Sequence, residues 1–98
     1  MSRIELAPEI GQDFERILEH LHRHEVAVAP ARIEEIIEGI SILEHSPLIG
    51  RPARADMREL VIGRRARGYV VLYRYIPEID TVFVLAIRSQ REAGYKRP

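Results

Sequence analysis

GYVVLYRYIPEIDTVFVLAIRSQREAGY, residues 68–95, decides how this chain is read. From Tyr69 to Ile76 the side chains alternate, with Val70, Leu72, Arg74 and Ile76 on one face and Tyr69, Val71, Tyr73 and Tyr75 on the other. A period of two over β-branched and aromatic residues predicts a strand. PEID (77–80), with proline first and aspartate last, is a tight hairpin turn. Thr81 to Arg88 is then a second strand, apolar on both faces until Arg88, which alternation sends out on the Val84–Ala86 side. A strand apolar on both sides is covered on both sides. If helices supply one cover, the other must come from the tail, a second copy or a partner.

Working back towards the start, MRELVIG (57–63) is a further strand, with Leu60 and Ile62 facing one way and Glu59 and Val61 the other. GRRARG (63–68) is a turn carrying Arg64, Arg65 and Arg67, and SPLIGRPARAD (46–56), punctuated by Pro47, Gly50 and Pro52, is a loop. Before it, Ile33, Ile36, Ile37, Ile40 and Leu43 form one apolar stripe of a helix opened by Pro30 and stopped at Ser46-Pro47. Ile10, Phe14, Ile17, Leu18 and Leu21 form the stripe of an earlier helix that ends near His24. Pro8 sits where a first turn tolerates it, and Glu9 and Asp13 lie near the positive end of the helix dipole. Ser2 to Leu6 alternates as a short strand. The order is β-α-α-β-β-β: a single α+β domain over 1–98, a helical hairpin packed on a small, mainly antiparallel sheet.

The net charge of zero hides an asymmetry. Residues 1–50 hold four arginines against ten acids, and residues 51–98 hold eleven bases against five acids, so the halves carry −6 and +6. Lys96 is the sole lysine among fifteen basic residues. Guanidinium forks suit phosphate and carboxylate, so a basic half built from arginine points to an anionic partner. A GC-rich genome raises arginine everywhere, but it does not place arginines mostly in one half. There is no cysteine, which excludes disulfides, thiol catalysis and thiolate zinc sites. Neither a signal peptide nor an apolar run of membrane-spanning length is present, so a cytoplasmic chain without membrane contact is expected.

Four histidines, His20, His22, His24 and His45, invite a metal reading, since His20 and His24 share a helix face. Third and fourth ligands are wanting, imidazoles near a helix C-terminus are favoured by the dipole alone, and neither metal nor cofactor is expected. Candidates for proton transfer in the basic half are Glu59, Glu92 and the tyrosines, and Tyr69, Tyr73 and Tyr75 are accounted for by sheet packing. Tyr95 lies in a polar tail, where packing explains it less well. GRRARG lacks the ending of a phosphate-binding loop. The more specific signal is the set Arg58, Arg74, Arg88 and Arg91, within or just after strands, where a charge otherwise costs packing.

GRP (50–52), MREL (57–60), GYVVLYRY (68–75) and VLAIRSQREAGY (84–95) resemble the RelE/ParE superfamily of bacterial toxins from type II toxin–antitoxin (plasmid-stabilisation) modules, and the element order resembles it over nearly the whole chain. Two activities divide that superfamily. The RelE-like branch implies a ribosome-dependent mRNA endoribonuclease, with Arg58, Arg88 or Arg91, and Tyr95 at positions of its basic and tyrosine residues. The ParE-like branch implies a non-enzymatic poison of DNA gyrase. Val70 and Leu60 stand where RelE-like members often place basic residues, and GRP with REL resembles the ParE branch more. The resemblance implies a growth-arresting toxin that binds gyrase, with Arg58, Arg74, Arg88, Arg91 and Tyr95 as the residues expected to bind the target or the antitoxin. It also implies a cognate antitoxin, an acidic amphipathic segment of which would cover the open sheet face, and a homodimer or a heterotetramer with that antitoxin. The alternatives are the RelE-like ribonuclease acting on ribosome and mRNA, and a non-toxic nucleic-acid or protein binding module.

Overall fold

The computed structural model describes residues 1–24, 26–63 and 68–96. The turn with Arg64, Arg65 and Arg67 lies outside the described residues. Strand β1 (Arg3–Leu6) is followed by helices α1 (Ile10–His24) and α2 (Ala29–Ser41), then β2 (Arg51–Pro52), β3 (Met57–Ile62), β4 (Tyr69–Ile76) and β5 (Thr81–Ser89). One sheet contains all five strands in the order β1-β5-β4-β3-β2, antiparallel throughout except for the parallel β1–β5 edge. This is the expected α+β arrangement, with one strand more. The two-residue β2 falls in the stretch read as loop, where Arg51 pairs with Glu59 and Pro52 with Arg58. A two-residue strand carries no periodicity to read, and proline, which cannot donate to a ladder, is tolerated on such an edge.

The helices cover one face of the sheet. Ile17 and Leu21 of α1, Ile36 and Ile40 of α2, and Leu43 beyond it pack on Tyr69, Val71 and Tyr73 of β4 and Val82, Val84 and Ile87 of β5. Ile37, expected in the stripe, is 55% exposed. It stands one residue round the helix from fully buried Ile36, at the margin of an arc already filled by Ile33, Ile36 and Ile40. Gly39 lets α2 approach β3, since a Cβ there would meet Ile62 Cδ1 at 2.5 Å. PEID forms the expected turn: Pro77–Ile79 is a short 3₁₀ segment and Asp80 closes it in the left-handed region, at φ 46°. Its carboxylate accepts from Ser2 Oγ at 2.6 Å and Tyr75 OH at 2.7 Å, tying the chain start to the hairpin.

The alternation of β5 breaks once. Register slips between Leu72 and Tyr73, so that Leu72 pairs with Ala86 and Tyr73 with Val84, leaving a bulge at Leu85. Val84 and Ala86 therefore face opposite sides, which corrects the expectation that Arg88 shares a side with both. Arg88 leaves with Ala86, on the face away from the helices.

Candidate functional site on the open sheet face

Leu72 and Val70 of β4, Ala86 and Arg88 of β5 and Glu59 of β3 lie together on the face opposite the helices. Val70, Leu72 and Ala86 are buried all the same. Their cover is the tail after β5. Tyr95 OH donates to Glu59 Oε2 at 2.7 Å, while the Arg88 guanidinium lies 5.2 Å from the centre of the Tyr95 ring. Reaching from β5 to β3, that ring crosses β4 where Val70 and Leu72 pair with Arg88 and Glu59. Arg88 Nη1 also holds the tail directly, donating to the carbonyls of Ser89 at 3.3 Å and Glu92 at 3.2 Å. Arg88 Nε is buried with no hydrogen-bond partner among the described residues.

Burial opposes ionisation of Glu59. The hydrogen bonds from Tyr95 and Arg51, with the charges of Arg51 and Arg88, outweigh it and hold this carboxyl below the usual range. The Tyr95 phenol moves the other way, pushed well above its ordinary value by burial and then by its bond to the Glu59 carboxylate. Neutral phenol donating to ionised carboxylate is therefore the state at physiological pH.

A second polar cluster pins the tail to α1. Beyond Leu6, β1 no longer covers the edge of β5, and the exposed backbone of Ile87 needs partners. Asp13 Oδ2 accepts from Ile87 N–H at 3.0 Å, and Arg16 Nη2 donates to Ile87 O at 2.9 Å. These two side chains do the work of a missing strand. They bond each other at 2.8 Å, and Arg16 continues to Glu92 through Nε at 2.6 Å and Nη2 at 3.2 Å. Glu92 Oε2 also accepts from Ser89 N–H at 2.8 Å, and its carboxyl is held below the usual range because the Arg16 and Ser89 donors outweigh burial.

The four arginines singled out in the sequence are not brought together. Arg58 shares the helix-side alternation of Leu60 and Ile62, and its Nη1 donates to Leu48 O at 3.2 Å and Gly50 O at 2.8 Å, so it holds the 48–50 loop. Gly50 in turn donates its N–H to Tyr73 OH at 2.9 Å, and a Cβ at Gly50 would meet that hydroxyl at 2.6 Å. Arg74 lies on the open face, bonded to Asp56 at 2.8 Å. Arg88 sits under Tyr95. Arg91 is exposed and has no hydrogen bond or ion pair with described residues. The rings of His20 and His24 lie tilted at 45° to each other with centres 4.7 Å apart. Among the described residues no three metal-ligating side chains converge, and no helix is long and apolar enough to cross a membrane.

The sequence names Glu59 and Glu92 only as candidates for proton transfer, and it does not single out Asp13 and Arg16 as part of a site. The available signal was Asp13, only 1% exposed, which interrupts the apolar run Ile10–Ile17–Leu21 at a helical spacing that points inward.

Two helices on one face of a five-stranded sheet is a fold shared with chains of solved toxin–antitoxin systems. A chain of the chromosomal ParDE toxin–antitoxin system of P. aeruginosa superimposes with a TM-score of 0.77 at 18% identity, over 91% of this chain and 96% of that one. A chain of the E. coli RelBE toxin–antitoxin complex gives 0.63 at 16%, over 94% and 100%. At these identities the likeness is one of fold. In sequence, the family described as ParE toxin of type II toxin–antitoxin system, parDE, matches residues 4–94. Toxin RelE3 of Caulobacter vibrioides is 30% identical over 92 residues, 94% of this chain and 98% of that protein. The chain belongs to the ParE toxin family of type II toxin–antitoxin systems, within the RelE/ParE superfamily.

Proposed function

We propose that this toxin arrests growth by binding its target and not by cutting RNA, with DNA gyrase as the target, a cognate antitoxin as the neutralising partner and the cytoplasm as the compartment. The observation that carries the reading is how the polar side chains over the open face are already committed. Tyr95 is bonded to Glu59, Arg51 pairs with Glu59 at 3.0 Å, and Arg74 pairs with Asp56. A ribonuclease needs a group that can exchange a proton near neutral pH, within reach of the substrate hydroxyl. A phenol with a raised pKa, donating to a carboxylate, is a poor base. Glu59 also keeps a negative charge against the Tyr95 hydroxyl, opposing the electrostatic stabilisation that phosphoryl chemistry requires.

Purified toxin titrated into a gyrase supercoiling reaction, alongside ribosomes programmed with mRNA, tests the reading. Loss of supercoiling at near-stoichiometric toxin with intact mRNA is expected. Cleaved mRNA with normal supercoiling overturns it. The ribonuclease reading has one observation in its favour: the placement of the Arg88 guanidinium against the Tyr95 ring, a cation and a proton carrier side by side.

A further inference from the structure

We propose that the cavity between α1 and the segment after β5 is an anchor site for one apolar side chain of an acidic partner peptide. The inference rests on the reading above that an antitoxin neutralises this chain, and it names the chemistry by which part of that partner is held.

The cavity has a volume of about 200 Å³. Its lining includes Ile17 of α1 and Tyr69 at the start of β4, with His20, Ser89 and Arg91. Size decides what fits. Sites for cofactors and drug-sized ligands run from about 300 to 1,000 Å³, so a nucleotide is too large and a single side chain is the right scale. Charge decides the neighbours of that side chain. Arg16 and Glu92, also in the lining, neutralise each other at 2.6 Å. Arg91, the other guanidinium of the lining, is exposed and has no hydrogen bond or ion pair among described residues. That leaves a positive charge beside an apolar surface. A leucine-sized residue flanked by aspartate or glutamate matches both features, with the carboxylate meeting the Arg91 fork and the apolar group filling the cavity. A buried anchor ringed by polar contacts is the usual form of an interface hot spot. Because Glu92 lines the cavity and lies in the tail, bonded to the N–H of Ser89 at the end of β5, occupation would also fix the segment that carries Tyr95.

The test uses the full-length, isotope-labelled toxin alone, titrated with three blocked tripeptides and followed by amide chemical shifts. The probes are acetyl-Asp-Leu-Glu-amide, its uncharged analogue acetyl-Asn-Leu-Gln-amide, and acetyl-Asp-Gly-Glu-amide, which lacks the anchor. Saturable shifts centred on Ile17, His20, Tyr69, Ser89 and Arg91 are expected with the first. Binding should be about tenfold weaker with each of the other two, as charge complementarity and the anchor are removed in turn. Arg91→Glu and the cavity-filling His20→Trp should each weaken the first peptide by a similar factor. Arg91→Gln repeats the charge test should Arg91→Glu disturb the amide spectrum. Equal binding of all three peptides, shifts centred elsewhere, or the same shifts produced by sodium acetate alone overturn the proposal. No gyrase enters the experiment, so a toxin that spares gyrase but binds the acidic peptide leaves the anchor standing and removes only the target.

Discussion

The two faces of the sheet are covered by different physics. On the helix side, Ile36 and Leu43 pack without exposure against fully buried Tyr73, Val82 and Val84. That cover is made of apolar contact, which is non-directional and indifferent to pH. On the other side the cover is a single tail, held by the Tyr95–Glu59 bond, by the carbonyls on Arg88 and by Glu92 on Arg16 and Ser89. Polar latches of that kind contribute little each and can be exchanged for a partner's groups at small net cost. One face holds the molecule together; the other is closed lightly enough to be opened.

The sharpest way to break this contrast is to cut into each face and compare. Ile36→Ala should cost about 3 kcal/mol, within the range of large-to-small core substitutions, and the loss should be the same at pH 5 and pH 7 in denaturant unfolding. A loss below about 1 kcal/mol would mean that the helix face is not the main source of stability. Asp13→Asn comes next. It removes the charge that Arg16 meets and weakens the surrogate strand at Ile87; with Arg16 27% exposed and still bonded to Glu92, about 2 kcal/mol is expected, again by denaturant unfolding. The tail should also lose amide-exchange protection at Ser89 in that variant.

Acid separates the faces in another way. Glu59 and Glu92 are both held below their ordinary value of 4.5 in the folded chain. Each therefore stabilises the tail above that value, and the contribution is lost as pH falls through the lower folded values. Amide exchange of residues 89–96, taken relative to the intrinsic rate at each pH, should rise on acidification towards pH 3 before the helix-side strands open. Glu59→Gln should flatten that rise, having given up its share of the protection at neutral pH. A tail that opens only together with the core would abolish the distinction between the faces.

Much of this was legible in sequence because apolar periodicity is a long-range average. The three C-terminal strands, both helices and the turn at Asp80 follow from it. The bulge at Leu85 is not, since Val84, Leu85 and Ala86 are all apolar and either phase of the alternation reads equally well. The candidate site was less legible. Arg58, Arg74, Arg88 and Arg91 were grouped by residue type, and type does not say what a guanidinium bonds. Only three-dimensional placement assigns Arg58 to loop carbonyls and Arg74 to Asp56. Tyr95 stood out because a tail tyrosine lacked a packing reason, and its partner Glu59 is 36 residues away, beyond the reach of any local pattern.

The most direct measurement is growth arrest by Tyr95→Phe, expressed without antitoxin at a level matched to the unaltered toxin. The substitution keeps the ring over β4 and against Arg88 and removes the hydroxyl alone. A toxin that acts by binding should arrest growth to the same extent. General acid–base groups contribute about 10²–10⁴-fold to a rate, so loss of arrest on that scale with the protein still folded would make Tyr95 a catalytic residue and contradict binding as the mechanism.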